Sequence, residues 1–491
     1  MSVALVGQEP PSSRQEGGAV SERFRLRRGD RRWLGLAVST PLGNADAAPT
    51  LPDCDHLLLQ SARYWEGWAG QCTYRGPYRS HVLRNALVLK LLTYQPTGAV
   101  VAAPTTSVPE VIGGQRNWDY RYTWLRDSSL LLYALMTLGY QQEATDFVGW
   151  LRRTCLHGHA DRPKTLYRID GRPDLPETEL DHLEGYRCSR PVRVGNAASQ
   201  QLQHDVYGEL LIAAYLHYRH HADRAYDLGE YERRVELPKG APSPQDWRVL
   251  RSLVDGAARH WPEPDSGIWE TRQRPQHFLH SILMCWAALD RGLRLAQECG
   301  LTAPLDRWRQ ARDSIRAAVL QRGYNAKVGA FTQTLDSDVL DASALVIPRI
   351  GFLPATDPRL LSTIDRIQAD LTHSGWVYRY RAPDGLPGTE GAFGLCTLWL
   401  IDALALSGQV EKAHDLFEHV IRSANVVGLF SEEIDPVTGG FLGNFPQGFT
   451  HLGIIRSAVD LASAVIHGAP QQATTEADRF GRARRASASG Y

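Results

Sequence analysis

The chain of 491 residues has no excess charge of either sign, because 54 Lys and Arg balance 54 Asp and Glu. Without a basic surplus there is no whole-chain electrostatic footprint for nucleic acid or an anionic membrane. Lysine is scarce, at five of the 54 basic residues, a skew that fits a GC-rich genome better than a binding patch. Paired cysteines are also missing. The seven are scattered, odd in number and without a CxxC pair, so they read as reduced thiols of a cytosolic protein. No apolar run approaches the roughly 18 residues of a membrane span. The N-terminus, MSVALVGQEPPSSRQEGG, lacks the basic and apolar segments of a signal peptide. A cytoplasmic chain with no nucleic-acid or membrane partner is expected.

Missing motifs narrow the chemistry. There is no GxGxxG, Walker loop or GxSxG elbow. His217 and His221 stand four apart, but without the glutamate of HExxH they read as a solvated helix end. Cys285 and Cys396 sit in apolar stretches without electropositive neighbours, unlike reactive thiols. No metal and no cofactor is expected.

What is present is helical. Twelve apolar-periodic segments follow residue 79: 80–92, 126–138, 141–155, 205–221, 244–261, 277–298, 304–321, 336–350, 358–371, 390–407, 409–423 and 446–466. Most repeat apolar residues at i, i+3, i+4 and i+7, one buried helical face. Some, such as 279–289 and 395–406, are apolar nearly all round, as inner helices are. Twelve helices in inner and outer pairs predict an all-α fold, six hairpins closing into an (α/α)6 barrel. An open solenoid is disfavoured by the irregular spacing. Ahead of these, 24–38 alternates about a Gly29-Asp30 turn and predicts a hairpin. The expected organisation is a mobile 1–55, a linker helix over 56–79, the barrel over 80–468 and a disordered tail over 469–491.

Three loop segments carry unusual residues. In 116–127, RNWDYRYTWLRD, four aromatics and five charges precede an apolar helix. Aromatic faces with a few fixed polar groups suit a sugar ring; a capping segment with Asp127 as cap and the aromatics as core is the plainer alternative. In 265–270, DSGIWE, Glu270 follows Trp269. An apolar wall there would favour the protonated form that a general acid needs; a surface Glu paired with Arg272 or Arg274 is the alternative. In 429–435, LFSEEID, three acids lie within four residues, able to hold one ionised base or simply to be solvated. Together, two loop carboxylates and an aromatic, arginine-bearing floor fit glycoside hydrolysis by a carboxylate pair.

Seven ordered blocks then carry a resemblance: APTTSVPE (103–110), GGQRNWDYRYTWLRD (113–127), GNAASQQLQHDVYGE (195–209), DSGIWE (265–270), HFLHSILMCWAALDR (277–291), EGAFGLCTLWL (390–400) and GLFSEEIDPVTGGFLGNFPQGFTH (428–451). Over roughly four-fifths of its length the chain resembles bacterial members of glycoside hydrolase family 15, the glucoamylase and trehalase-like group. The resemblance implies a six-hairpin barrel and hydrolysis of α-glucosidic bonds with inversion. It implies Glu270 as general acid and Glu432 as general base, the register being set by Asp435. It also implies Tyr120, Trp124, Arg126 and Asp127 as the floor of the glucose site, with Trp269, Arg379 and Glu390 as further substrate-binding residues. Ile434 departs from the aromatic of the fungal enzymes. Asp205 and Glu209 read as structural.

The expected partner is a small carbohydrate, with trehalose, maltooligosaccharides and isomalto-linkages all open; oligomeric state is not legible. The alternatives are an α-glucoside phosphorylase on the same barrel, or a catalytically impaired, truncated member. Bacterial members usually carry an N-terminal β-sandwich, whereas here 24–38 resembles only its last hairpin and 57–72 the linker. Residues 1–55 are therefore expected to be a truncated β remnant, from a gene start set too late or a shortened protein.

Overall fold

Apolar stripes interrupted by Gly and Pro become helices in the computed structural model. It describes residues 2–7, 14–16, 19–21, 24–39, 53–155, 161–227, 241–468, 474–475 and 478–479. The chain divides into two compact units, one up to Gln71 and one from Cys72. Part of the expected mobile segment 1–55, including 40–52, and most of the tail 469–491 lie outside the described residues.

In the first unit, the strand Ser2–Gly7 pairs antiparallel with Leu34–Ser39, Ser2 opposite Ser39 and Gly7 opposite Leu34. This corrects the hairpin expected over 24–38. The Gly29-Asp30 turn forms, with Asp30 N donating to Arg27 O at 3.0 Å, but residues 24–33 are not in strands. A hairpin about that turn would set Arg27 and Arg28 opposite Arg32 and Arg31, and like charges directly opposite destabilise a ladder. The small apolar run at Ser2–Gly7 offers a better partner. Helix α1, Cys54–Gly70, starts where Asp53 accepts a hydrogen bond from His56 N, a favoured N-cap arrangement.

The second unit holds α2 (Arg79–Leu91), α3 (Leu125–Thr137), α4 (Gln142–Cys155), α5 (Asp205–Asp227), α6 (Pro244–His260), α7 (Leu279–Glu298) and α8 (Leu305–Ala318). After these come α9 (Pro358–Asp370), α10 (Gly394–Leu406), α11 (Val410–Arg422) and α12 (Gly448–His467). Eleven of the twelve expected helices are thus α-helical. The exception is 336–350, which forms only a 3-10 turn at Ala342–Val346. Its cause is local: Asp341 caps the turn at Ser343 N, 2.7 Å, and Pro348 has no N–H with which to continue an α-helix.

Contacts run from α3 to α5, α5 to α7, α7 to the 3-10 turn, the turn to α10, α10 to α12, and α12 back to α3. Every residue of α10 is buried. Helices α3 and α7 are buried almost throughout, whereas α11 buries one stripe, Ala413, Phe417, Val420 and Ile421. The short 3-10 segment is pinned by charge. Arg349, just beyond it, pairs with buried Asp402 of α10 and stands 3.5 Å from Asp460 of α12. Ser457 donates to the other Asp402 oxygen at 2.6 Å. Burial pushes the Asp402 carboxyl up to about 7, against the pull of Arg349. The expectation that no segment could span a membrane is qualified by α12, whose Gly448–Ile466 meets the length and composition criterion but lies mostly inside the fold.

The loops before α3, α5, α7, α10 and α12 all supply residues to one pocket. Close helix contact depends on small residues. A Cβ at Gly208 of α5 would lie 2.4 Å from Met284 O of α7. Gly208→Ala is expected to destabilise by about 1–3 kcal/mol through overpacking. Gly67→Ala, at an exposed α1 position with nothing within 4 Å, is expected to stabilise by about 0.4–1 kcal/mol. Denaturant melts of both variants check the contrast.

Candidate active site

The floor is built by the aromatic segment before α3. Tyr120 and Trp124 meet edge to face at 5.3 Å, packed with Ala102, Leu166, Leu175 and Ala198. Trp124 is extended at the N-cap position, so the first turn of α3 carries Arg126 and Asp127 directly into the pocket. Asp127 is therefore not the cap. Arg126 Nη1 donates to Gln203 Oε1 (2.9 Å) and to Asp205 Oδ2 (3.3 Å), and Nη2 to Glu270 Oε1 (3.4 Å). Burial pushes the Asp127 carboxyl up to about 7, against the neighbouring Arg126 charge.

Trp269 is locked by its indole N–H, which lies 3.0 Å from both oxygens of Asp341. Its ring packs on Phe393 and Trp399. Glu270 has a φ of 57°, an uncommon left-handed conformation for a residue with a side chain. Gln201 Nε2 steadies it by donating to Glu270 O at 3.2 Å. Trp124 Nε1 donates to the Glu270 carboxylate at 2.7 Å. The surface-pair alternative fails for Arg272, which instead pairs with Glu177 at 2.9 Å and lies over the Trp118 ring. Next to it, Arg272 N donates to Asp384 O, and Gln273 Nε2 to Pro383 O, tying this loop to 383–384.

The three acids of LFSEEID have three different fates. The strand Glu433–Ile434 lies between Ala392–Phe393 and Phe441–Leu442, and successive strand residues face opposite ways. Glu432 lines the pocket, whereas Glu433 lies behind it, accepting from Gly391 N at 3.0 Å. Asp435 closes the hairpin turn, accepting from Val437 N and Thr438 Oγ1. Ile434 is buried in the strand. Gly443 lets the backbone approach Glu432, since a Cβ there would lie 2.7 Å from Oε2. Burial and then the Glu110 charge hold the Glu432 carboxyl well above the usual carboxylate range; Arg379 and a hydrogen bond from Tyr120 oppose them.

Arg379 gives Nε to Glu390 Oε1 at 2.8 Å and Nη2 to Glu390 Oε2. The same Nη2 is 3.9 Å from Glu110 Oε2 and 3.8 Å from Glu433 Oε1. Oxygens of Glu110, Glu390 and Glu433 lie within 4.8 Å of one another, a spacing that suits a metal ion. Here Arg379 itself supplies the positive charge they face. Arg116 completes the group, bound to both oxygens of Asp384 at 2.7 and 3.0 Å. As for the remaining cysteine and histidine candidates, Cys285 and Cys396 are buried, and burial holds both thiols well above their ordinary range. His217 lies on α5 beside an apolar cavity, away from this pocket, and the His221 side chain lies outside the described residues.

The pocket encloses about 730 Å³, part of it open to solvent. Tyr120, Trp124, Arg126, Asp127, Trp269, Glu270, Arg379 and Glu432 all line it. Glu390 does not. It stands behind Arg379, four residues ahead of α10. Sequence reasoning passed over Glu110, Trp118, Gln201, Arg272 and Asp384, which also line the pocket. Glu110 and Trp118 lay in plain view, inside the blocks APTTSVPE and GGQRNWDYRYTWLRD.

Residues 76–459 match glycosyl hydrolases family 15. A trehalase from Mycolicibacterium smegmatis is 41% identical over 455 residues, 91% of this chain and 65% of that protein. A trehalase from Thermoplasma acidophilum is 42% identical over 410 residues, 83% of this chain and 67% of that protein. The chain thus spans about two thirds of the length of these relatives. A bacterial glucoamylase solved with acarbose superimposes with a TM-score of 0.63 at 14% identity, covering 88% of this chain and 62% of that one. A glycosidase in complex with glucose gives 0.57 at 19% identity, covering 78% of this chain and 96% of that one. The matched stretch contains every residue lining the pocket, and the chain belongs to glycosyl hydrolase family 15.

Proposed function

We propose that the protein is an inverting α-glucoside hydrolase acting on trehalose, with its helices forming an (α/α)6 barrel. One observation carries the reading: Glu270 and Glu432, on separate loops, line a single pocket with Tyr120 electrostatically close to both. The closed cycle of inner contacts supports the barrel, and the trehalases at 41–42% identity favour trehalose over other α-glucosides. Cytoplasmic residence is part of the same proposal.

In the mechanism, Arg126 and Asp127 grip hydroxyls of the terminal glucose while Tyr120 and Trp124 stack near its ring. Trp124 and Arg126 orient the Glu270 carboxyl, which protonates the leaving oxygen. As positive charge grows on the anomeric carbon, Glu432 takes a proton from the attacking water on the opposite face. Inversion requires about 6.5–9.5 Å between the carboxyls. The product is β-glucose, with no covalent intermediate.

Glucose release is expected from trehalose and not from maltose or isomaltose, with the β anomer appearing first by NMR. Initial α-glucose would overturn inversion. Glu270→Gln and Glu432→Gln are each expected to cut turnover by about 100- to 10,000-fold, with Glu433→Gln far milder. Their roles separate on α-glucosyl fluoride, whose leaving group needs no proton. Glu270→Gln should still hydrolyse it and Glu432→Gln should not, the reverse pattern exchanging the roles. Removing the indole donor with Trp124→Phe should lower kcat/KM by roughly 10- to 150-fold, the worth of a hydrogen bond to a charged group.

The pH dependence follows from Glu432. A base must be ionised, and its carboxyl is held above the usual range, so activity is lost as pH falls through that raised value. The acidic limb of kcat/KM is therefore expected above the ordinary Glu value of about 4.3.

A further inference from the structure

Beside Glu432 the count of charges does not balance. The two guanidiniums on this side hydrogen-bond two carboxylates, Arg116 both Asp384 and, at 3.1 Å, Glu390, and Arg379 Glu390 alone, while Arg116 Nη1 stands 3.9 Å from Glu110 Oε2. Three more carboxyls share the region: Glu110, Glu433 and Glu432, which are 3%, 1% and 2% exposed. Glu110 Oε2 and Glu433 Oε1 stand 3.9 and 3.8 Å from Arg379 Nη2, outside hydrogen-bonding reach. Like Glu432 Oε2, both are buried without a hydrogen-bond partner among the described residues. Carboxyls left in such a place take up a proton rather than remain ionised without compensation.

We propose that Glu110 and Glu433 are a proton-holding pair that positions Glu432 electrostatically, at least one of them being protonated at neutral pH. The proposal rests on Glu432 acting as the base, and both residues act through it. The charged and titratable groups around the three come from three loops. Glu110, Arg116 and Tyr120 precede α3, Arg379 and Glu390 precede α10, and Glu432 and Glu433 precede α12; the Cys396 thiol of α10 also lies close to Glu433. Burial first, then neighbouring carboxylates, raise Glu433 and Glu432, and Glu110 is pushed up to about 7. A protonated neighbour lets Glu432 ionise without adding a further uncompensated charge. An ionised one forces it to hold its proton to higher pH.

Replacing either residue by Gln fixes the neutral state. Only a member that is ionised across the limb weighs on Glu432, so in at least one of Glu110→Gln and Glu433→Gln the acidic limb of kcat/KM for trehalose should move to lower pH, by on the order of one unit. A residue serving only as an ion-pair partner of Arg379 would change stability without moving the limb. Infrared pH-difference spectra of the wild-type protein without substrate supply an independent reading. A protonated-carboxyl band should persist to neutral pH and weaken in each Gln variant. A band undiminished in both variants, limbs unmoved in both, or a wild-type limb at the ordinary carboxylate value would overturn the proposal. Retained turnover in Glu432→Gln would instead overturn the base assignment, while the infrared band would still test the pair.

Discussion

The site depends on arginine holding carboxylates where water cannot reach them. Arg126 and Arg379 both line the pocket, each almost wholly buried and each within ion-pair distance of more than one acid. Guanidinium suits this task because it is always charged and offers a planar fork of donors that grips a carboxylate side-on. Arg126 serves the Glu270 side through Asp205, Gln203 and Asp127; Arg379 serves the Glu432 side through Glu390. With either one gone, several acids would lose their common counter-charge, and leaving a buried charge unpaired is among the costliest changes a fold can suffer.

This arrangement also explains where the loops lie. Each pocket loop leads into the N-terminal end of α3, α5, α7, α10 or α12, and these helices, with the 3-10 turn, form one cycle of contacts. Loop residues far apart in sequence, such as Trp124 and Glu270, can then be held at hydrogen-bond distance without long-range order in the loops themselves. The 3-10 turn at Ala342–Val346 shows that the cycle of contacts tolerates one short member, whose five residues are all buried and beside which Arg349 and Asp402 add an ion pair.

Much of this was legible in the sequence, because helical periodicity and Gly stops are local signals. Eleven helices and eight pocket residues followed from pattern and resemblance. The failures share a cause, which is that pairing is not local. Leu34–Ser39 looked like one arm of a hairpin, yet its partner lay some thirty residues away at Ser2–Gly7. The apolar periodicity of 336–350 predicts a helix, whereas in the structure Pro348, which has no N–H to give, follows only a short 3-10 turn. Glu390, which the resemblance implies as a substrate-binding residue, is absent from the lining of the pocket and is the counter-charge of Arg379. Glu110 went unnoticed since nothing in APTTSVPE reveals that its carboxyl meets Glu390 and Glu433.

The tie between residues 272–273 and 383–384 joins the two rims of the pocket. Arg272 N and Gln273 Nε2 reach across to Asp384 O and Pro383 O, and the Asp384 side chain binds Arg116 and Tyr380 below. The segment that shapes the mouth and the segment that carries Glu270 are therefore one mechanical piece. Divergence in the 381–389 loop that alters which sugar is admitted would also displace the proton donor. Within this fold, selectivity and chemistry are constrained to drift together.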